Sequence, residues 1–262
     1  MGNYCSCLSK KKSDIIEFND ASSKVKLDKH DKEVIKKIAL KLPHGVGYIE
    51  YEDKTKSFVK YVDINLWIKK LYKGKNIQNY IVYNDETNKI GDKHTKKGHC
   101  KGILTWNNNN ISFLVHSIPN FPEKFGEGDI SDINPSELIY GQSMIYIEFN
   151  FTAITLYNIL KSIHSMEAHI YIEKNLPILN YLNDNRIIST KISKNITYIV
   201  KSPSLNIDIY SEYLYEKYKS KWFIETWQRG HHITNNDCEN IIDIKKLKFE
   251  NIEWHESQDH SK

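Results

Sequence analysis

The chain has 262 residues, with 37 Lys and Arg against 33 Asp and Glu and a formal net charge of +4 when histidines are neutral. Seventeen Tyr, nine Phe and five Trp supply core material, while 11 Gly and six Pro exclude fibrous and low-complexity architectures. That length buries one large core or two joined small ones, and the mildly basic balance admits a polyanionic partner without pointing to one.

Residues 1 to about 30 are polar, lysine-rich and poor in periodic apolar positions, the pattern of a flexible tail. Its start, Met1-Gly2-Asn3-Tyr4-Cys5-Ser6, fits N-myristoylation of Gly2 after loss of Met1. Cys5 and Cys7 stand where palmitoylation adds the second anchor that stable membrane binding needs, and Lys10-Lys11-Lys12 suits anionic lipid head groups. The tail therefore predicts the cytoplasmic face of a membrane if acylated, and the cytoplasm otherwise. An apolar signal segment is not seen, and four cysteines (Cys5, Cys7, Cys100, Cys238) do not make a disulfide framework, so a reducing compartment is expected.

Further along, Val34, Ile35, Ile38 and Ala39 suggest a short helical turn or an edge element. Residues 45–60 alternate as a hairpin, with strands near 48–51 and 57–59. Asn79 to Tyr83, Gly102 to Trp106, 111–115 and 144–149 read as strands, the second ending in the polar run Asn107 to Asn110. Between 152 and 163, Ile154, Leu156, Tyr157, Leu160 and Ile163 fall on one helical face. A strand over 195–200, a helix carrying Ile209, Tyr213, Leu214 and Tyr218, and a strand over 222–227 follow. The sum is an α/β protein of mixed sheets with flanking helices, and no stretch reaches transmembrane length.

The chemistry concentrates in two triplets, Gly98-His99-Cys100-Lys101-Gly102 and Asp259-His260-Ser261-Lys262. In a strand, alternate side chains share a face, so His99 and Lys101 aim at one point while Cys100 turns into the core. In-line attack on a phosphodiester needs a nucleophile on one side and a proton donor on the other, and imidazole serves as either. Lysine suits the non-bridging oxygens. The basic run from Lys93 to Lys97 leads straight into His99, and Lys96 and Lys97 are placed to hold backbone phosphates. His116 follows the apolar run 111–115, where it either lines a cleft mouth or serves as a hydrogen-bonded structural histidine; both readings stay open. The pairs His231-His232 and His164 with His169 show no metal-ligand spacing and read as surface or packing residues.

The first triplet is followed by His116-Ser117-Ile118-Pro119-Asn120-Phe121-Pro122 and then by Gly141-Gln142-Ser143. With Lys41-Leu42-Pro43, Tyr83-Asn84-Asp85 and Glu225-Thr226-Trp227 as weaker matches, residues 38 to 262 resemble the deoxyribonuclease II family. The resemblance implies a phospholipase D-like fold of two pseudo-twofold lobes, here about 31–150 and 151–262, each giving one His-x-Lys pair to a shared cleft. It implies endonucleolytic hydrolysis of DNA without metal or cofactor, through a phosphohistidine, leaving 3'-phosphate ends and favouring acidic pH. On that reading His99, as nucleophile, and Lys101 come from the first lobe, and His260, as acid, and Lys262 from the second. His116, Ser117 and Gln142 join Lys96 and Lys97 as substrate contacts. Family members continue beyond the second triplet, whereas this sequence stops at Lys262 with its carboxylate beside the proposed lysine. A membrane-anchored, catalytically degenerate relative that binds DNA or a protein is the alternative, lipid phosphodiesters are a third substrate class, and a homodimer is compatible with either.

Overall fold

The computed structural model describes residues 15–18, 35–52, 55, 57–85, 98–108, 110–126, 129–177, 186–193, 196–218, 222–224 and 241–243. The chain divides into two compact units, one of residues 13–205 and one of residues 1–12 and 206–262. In the first, β1 (Ile15–Phe18), β2 (Ile35–Lys41), β3 (Tyr48–Glu52) and β4 (Ser57–Tyr61) precede α1 (Ile64–Tyr72). There follow β5 (Asn79–Tyr83), β6 (Gly102–Trp106), β7 (Asn110–His116), β8 (Phe125–Gly126), β9 (Asp129–Ile130) and β10 (Gln142–Asn150). Then come α2 (Ala153–Ser165), β11 (Ile170–Lys174), β12 (Ile187–Lys191) and β13 (Thr197–Lys201). The described parts of the second unit are a π-helical turn, Ile209–Leu214, running into α3 (Tyr215–Tyr218), and β14 (Trp222–Ile224) paired in parallel with β15 (Ile241–Asp243).

An eight-stranded antiparallel sheet in the order β11-β5-β6-β7-β10-β2-β3-β4 dominates the larger unit. The boundary the sequence suggests near residue 150 falls inside this unit, because β11 joins the sheet at one edge. Strand β6 is buried on both faces, as a central strand must be when helices or loops cover each side. Its hairpin to β7 closes where Asn107 Oδ1 accepts the Asn110 N–H at 3.0 Å, the asparagine side chain replacing a backbone turn bond.

Each face of the sheet has its own core. On one, α1 inserts Ile64, Trp67, Ile68, Leu71 and Tyr72, spaced i, i+3, i+4, i+7, i+8 as an amphipathic helix requires, over Val82, Ile103, Leu114 and Met144. Asp63 caps α1, its Oδ1 accepting from the N–H groups of Asn65 at 2.8 Å and Leu66 at 3.2 Å, and Lys69 and Lys70 sit in the last turn where the helix dipole favours cations. On the other face, α2 places Ile159, Leu160 and Ile163 over Ile81, Leu104 and Phe113, with Thr152 as its N-cap. Burial of each such side chain stabilises by roughly 1.5–3 kcal/mol.

The expected strands and the helix over 152–163 are present, except that of the strand expected over 222–227 only Trp222–Ile224 falls within the described residues. Two readings are corrected. The segment from Ile35 is neither a helical turn nor an edge element but β2, an interior strand bonded to β10 on one side and β3 on the other. Its main partner lies about a hundred residues away, so a local reading finds only four apolar residues without a mate. Within the expected tail, Ile15–Phe18 forms a strand in parallel with β12, in a three-stranded sheet completed by β13. Helix α1 itself, with Lys69 and Lys70 in its last turn, is an element the sequence reading passed over.

Candidate active site

Strands β5 and β6 pair with Tyr83 opposite Gly102, so the chain leaving β5 passes the residues that lead into β6. Here the structure brings His99 and Lys101 together on one group, the carboxylate of Asp85. His99 Nδ1 pairs with Asp85 Oδ2 and Lys101 Nζ with Asp85 Oδ1. Cys100, between them in the segment that leads into β6, packs into the core beneath α2. The two partners differ in exposure: the His99 side chain is 89% exposed and that of Lys101 4%. Lys101 is thus a buried countercharge, and the imidazole stands in solvent with Nδ1 held and Nε2 turned loose.

The glycines around the triplet are sterically required. A Cβ on Gly98 would lie 1.9 Å from the Met166 carbonyl oxygen at the end of α2, and one on Gly102 would lie 2.5 Å from the Tyr83 hydroxyl. Backbone and ring approach so closely at these points that no side chain fits. Burial and the Asp85 charge push the Cys100 thiol up to about 12, against the smaller opposing effect of Lys101, so this sulfur is a core atom and not a nucleophile.

Asn84, fully buried, donates its side-chain amide to the carbonyls of Ile118 at 3.0 Å and Phe121 at 3.1 Å. It stitches the end of β5 to the segment after His116. That histidine is buried against Phe121, with ring centroids 5.5 Å apart at 78°, and its Nδ1 accepts the Ile118 N–H at 3.2 Å. Accepting at Nδ1 leaves the proton on Nε2, a buried donor with no partner among the described residues. Burial first, and the Lys101 charge second, lower its pKa to about 3, so the ring is neutral. Of the two readings open for His116, the hydrogen bond at Nδ1 and the burial describe a structural histidine, while the spare donor leaves room for a substrate role.

Ser117 and Gln142 meet each other: Ser117 Oγ donates to Gln142 Oε1 and accepts the Ser143 N–H at 2.9 Å, and the Ser117 N–H donates to the Ser143 carbonyl at 3.0 Å. Next along this end of the sheet, Lys41 closes β2. Its Nζ donates to the carbonyls of Leu42 and Leu138, each at 2.9 Å, and of Tyr140 at 2.6 Å. Burial lowers its pKa. Strand ends therefore set out Asp85, Lys101, His116, Ser117, Gln142 and Lys41 in a row.

His260, Lys262, Lys96, Lys97, Gly2, Cys5 and Cys7 lie outside the described residues. Sequence reasoning missed the role of Asp85, which it noted only within Tyr83-Asn84-Asp85. An aspartate just past a strand, opposite the entry of the His-x-Lys strand, was the available signal.

The profile of the deoxyribonuclease II family matches residues 50–262. Among curated proteins, the chain is 25% identical over 218 residues to deoxyribonuclease-2-alpha of Sus scrofa, covering 73% of this chain and 59% of that protein. It is 28% identical over 206 residues to deoxyribonuclease-2-beta of Homo sapiens, covering 70% and 56%. To plancitoxin-1 of Acanthaster planci it is 25% identical over 215 residues, covering 72% and 58%. The chain thus spans less than three-fifths of the length of these relatives. With the profile running from β3 through the His99–Lys101–Asp85 cluster and onward to Lys262, the chain belongs to the deoxyribonuclease II family.

Proposed function

We propose that the chain is an endonuclease that hydrolyses DNA phosphodiester bonds without a metal, with His99 as nucleophile and His260 as general acid. The observation that carries this reading is the Asp85 carboxylate shared by His99 and Lys101. By accepting the proton at Nδ1, Asp85 leaves the lone pair of Nε2 free to attack, and its negative charge offsets the positive charge that grows on the ring as the N–P bond forms. Lys101 balances that carboxylate from the buried side.

Attack of Nε2 on phosphorus breaks the bond to the 5'-oxygen, which leaves with a proton from His260. The strand end remains on His99 as a 3'-phosphoryl group. Water, deprotonated by His260, then cleaves the N–P bond and releases a 3'-phosphate end. The buried Nε2–H of His116 is a neutral donor beside Lys101 and suits a non-bridging oxygen once substrate enters. Lys262, Lys96 and Lys97 complete the cationic surroundings, and the two His-Lys pairs follow a phospholipase D-like two-lobed plan. Acylation at Gly2, Cys5 and Cys7 would carry this activity to an anionic membrane surface on its cytoplasmic face; without acylation the protein is cytoplasmic.

Plasmid nicking in excess chelator tests the activity. Wild-type protein is expected to convert supercoiled to open circular DNA with 3'-phosphate ends, and His99→Ala and His260→Ala to lose this. Nicking that persists in both variants, or that chelator abolishes, overturns the reading. For the anchor, intact mass should show a myristoylated Gly2, and retained Met1 would remove that part.

A further inference from the structure

A groove of about 590 Å³ lies between α1 and the strands β2, β3 and β4, within the size range of small-molecule sites. In the sheet, β3 stands four strands from β6, roughly 19 Å, so the groove is no part of the His99 cluster. Three of its lining residues are aromatic. Tyr48 and Tyr61 are cross-strand partners whose rings stack at 5.2 Å and 19°, and Trp67 of α1 meets Tyr48 at 6.1 Å.

Strand alternation puts Tyr48, Glu50 and Glu52 on one face of β3, and all three line the groove. Glu50 is held in place, accepting from Trp67 Nε1 at 3.0 Å and pairing with Lys37. Glu52 accepts the Tyr61 hydroxyl on Oε1 and keeps Oε2 without a partner among the described residues. Tyr48 is 6% exposed, yet its hydroxyl bonds to nothing among the described residues. Burial, and after it the Glu50 charge, push that hydroxyl up to about 12, so it stays protonated and able to donate. A polar atom on a nearly buried side chain is unfavourable unless a group in the groove completes it.

The lining selects what that group can be. Lys36, Lys37 and Lys70 set three ammonium groups against the two carboxylates. A free cation would meet the three ammonium groups, and a free anion the two carboxylates. An apolar guest would leave the Tyr48 hydroxyl and Glu52 Oε2 desolvated and unpaired. A neutral ring bearing several hydroxyls suits every group at once, because each hydroxyl donates one hydrogen bond and accepts two. Such a guest donates to Glu52, accepts from Lys70 and Tyr48, and lays its C–H groups against the electron-rich faces of aromatic rings.

We propose that the groove between α1 and β2, β3 and β4 is a binding site for a neutral carbohydrate, with Tyr48 and Glu52 as the groups that read its hydroxyls. The proposal goes beyond the nuclease reading and does not depend on it.

The test is saturation-transfer NMR on full-length protein with glucose, galactose, mannose and N-acetylglucosamine, and with phosphocholine as a charged comparison. At least one sugar should bind with a dissociation constant of about 1 mM. Tyr48→Phe removes a hydroxyl that bonds to nothing in the fold, and Glu52→Gln still accepts from Tyr61, so both proteins should keep the wild-type urea midpoint. Each should weaken sugar binding about tenfold. Lys60→Met, on the opposite face of β4, should change nothing. Absence of transfer to all four sugars overturns the proposal, as does unchanged affinity in either Tyr48→Phe or Glu52→Gln, an equal loss in Lys60→Met, or tighter binding of phosphocholine than of every sugar. Plasmid nicking should be the same in all three variants as in wild type. If wild-type protein cleaves no DNA, the nuclease reading falls, and the NMR measurements alone decide whether the groove holds a sugar.

Discussion

Lys101 and Lys41 close neighbouring parts of one sheet end, and water reaches neither: they are 5% and 2% exposed. Lys101 is answered by a full negative charge on Asp85, which it shares with an exposed imidazole. Lys41 is answered by three carbonyl oxygens. The first arrangement ties an exposed imidazole and a buried cation to one carboxylate. The second fixes the course of the backbone and leaves the cation itself disfavoured, as its lowered pKa shows. A buried lysine can therefore meet a side chain through a shared carboxylate or hold the backbone through carbonyls, and the nature of its acceptor tells which.

The largest effect should come from removing the carboxylate. Asp85→Asn is expected to lower kcat on the order of 10³-fold, since Nδ1 loses its anchor. It should also cost ~3–5 kcal/mol of stability because Lys101 is stranded without a countercharge. Asp85→Asn with Lys101→Met should restore most of the stability and none of the activity, read by urea denaturation and plasmid nicking. Recovery of activity in the double variant would show that Asp85 acts only by neutralising Lys101.

The next concerns pH and rests on His116, which lies beside Lys101. Unfolded His116 takes a proton near its ordinary 6.5, whereas the folded ring resists until about 3. The unfolded state binds the extra proton in that window, so this contribution is complete above pH 6.5 and is lost as pH falls towards 3, at about 1.4 kcal/mol per unit. Denaturant midpoints measured from pH 7 to 4 should show this slope, and His116→Phe should flatten it.

Lys41→Met is expected to cost about 1–3 kcal/mol, from the Leu42 and Tyr140 carbonyls losing their Lys41 donor while Leu138 keeps Gly45. Lys41→Arg should not repair it, because a planar fork does not match three converging oxygens. A loss as large as that of Asp85→Asn would mean the carbonyl cage carries more than loop geometry. The smallest effect is at Cys100, where Asp85 raises and Lys101 lowers the thiol pKa. Alkylation of the Cys100 peptide, followed by mass spectrometry, should be slow in wild-type protein, faster in Asp85→Asn and slower still in Lys101→Met.

Much of the architecture was legible where periodicity is local. The pattern from Tyr48 to Val59, the β6–β7 hairpin and the stripe of α2 all announce themselves within a dozen residues. The common aim of His99 and Lys101 followed from their spacing, although both stand just before β6 rather than in it. Their meeting point did not, because Asp85 comes from another strand and its relevance depends on the β5–β6 register. The place of β2 was hidden for the same reason. Lys41 was unreadable because its partners are carbonyls, which every residue possesses and no side-chain pattern can reveal.

The contact between Gly98 and the Met166 carbonyl ties the footing of His99 to the point where α2 stops, nearly seventy positions downstream. Adding or deleting one residue in the last turn of that helix would swing the ring relative to Asp85 while leaving every group in the cluster chemically intact. Tuning of the cluster by drift or by design thus has a remote handle, an adjusting screw at the far end of a helix.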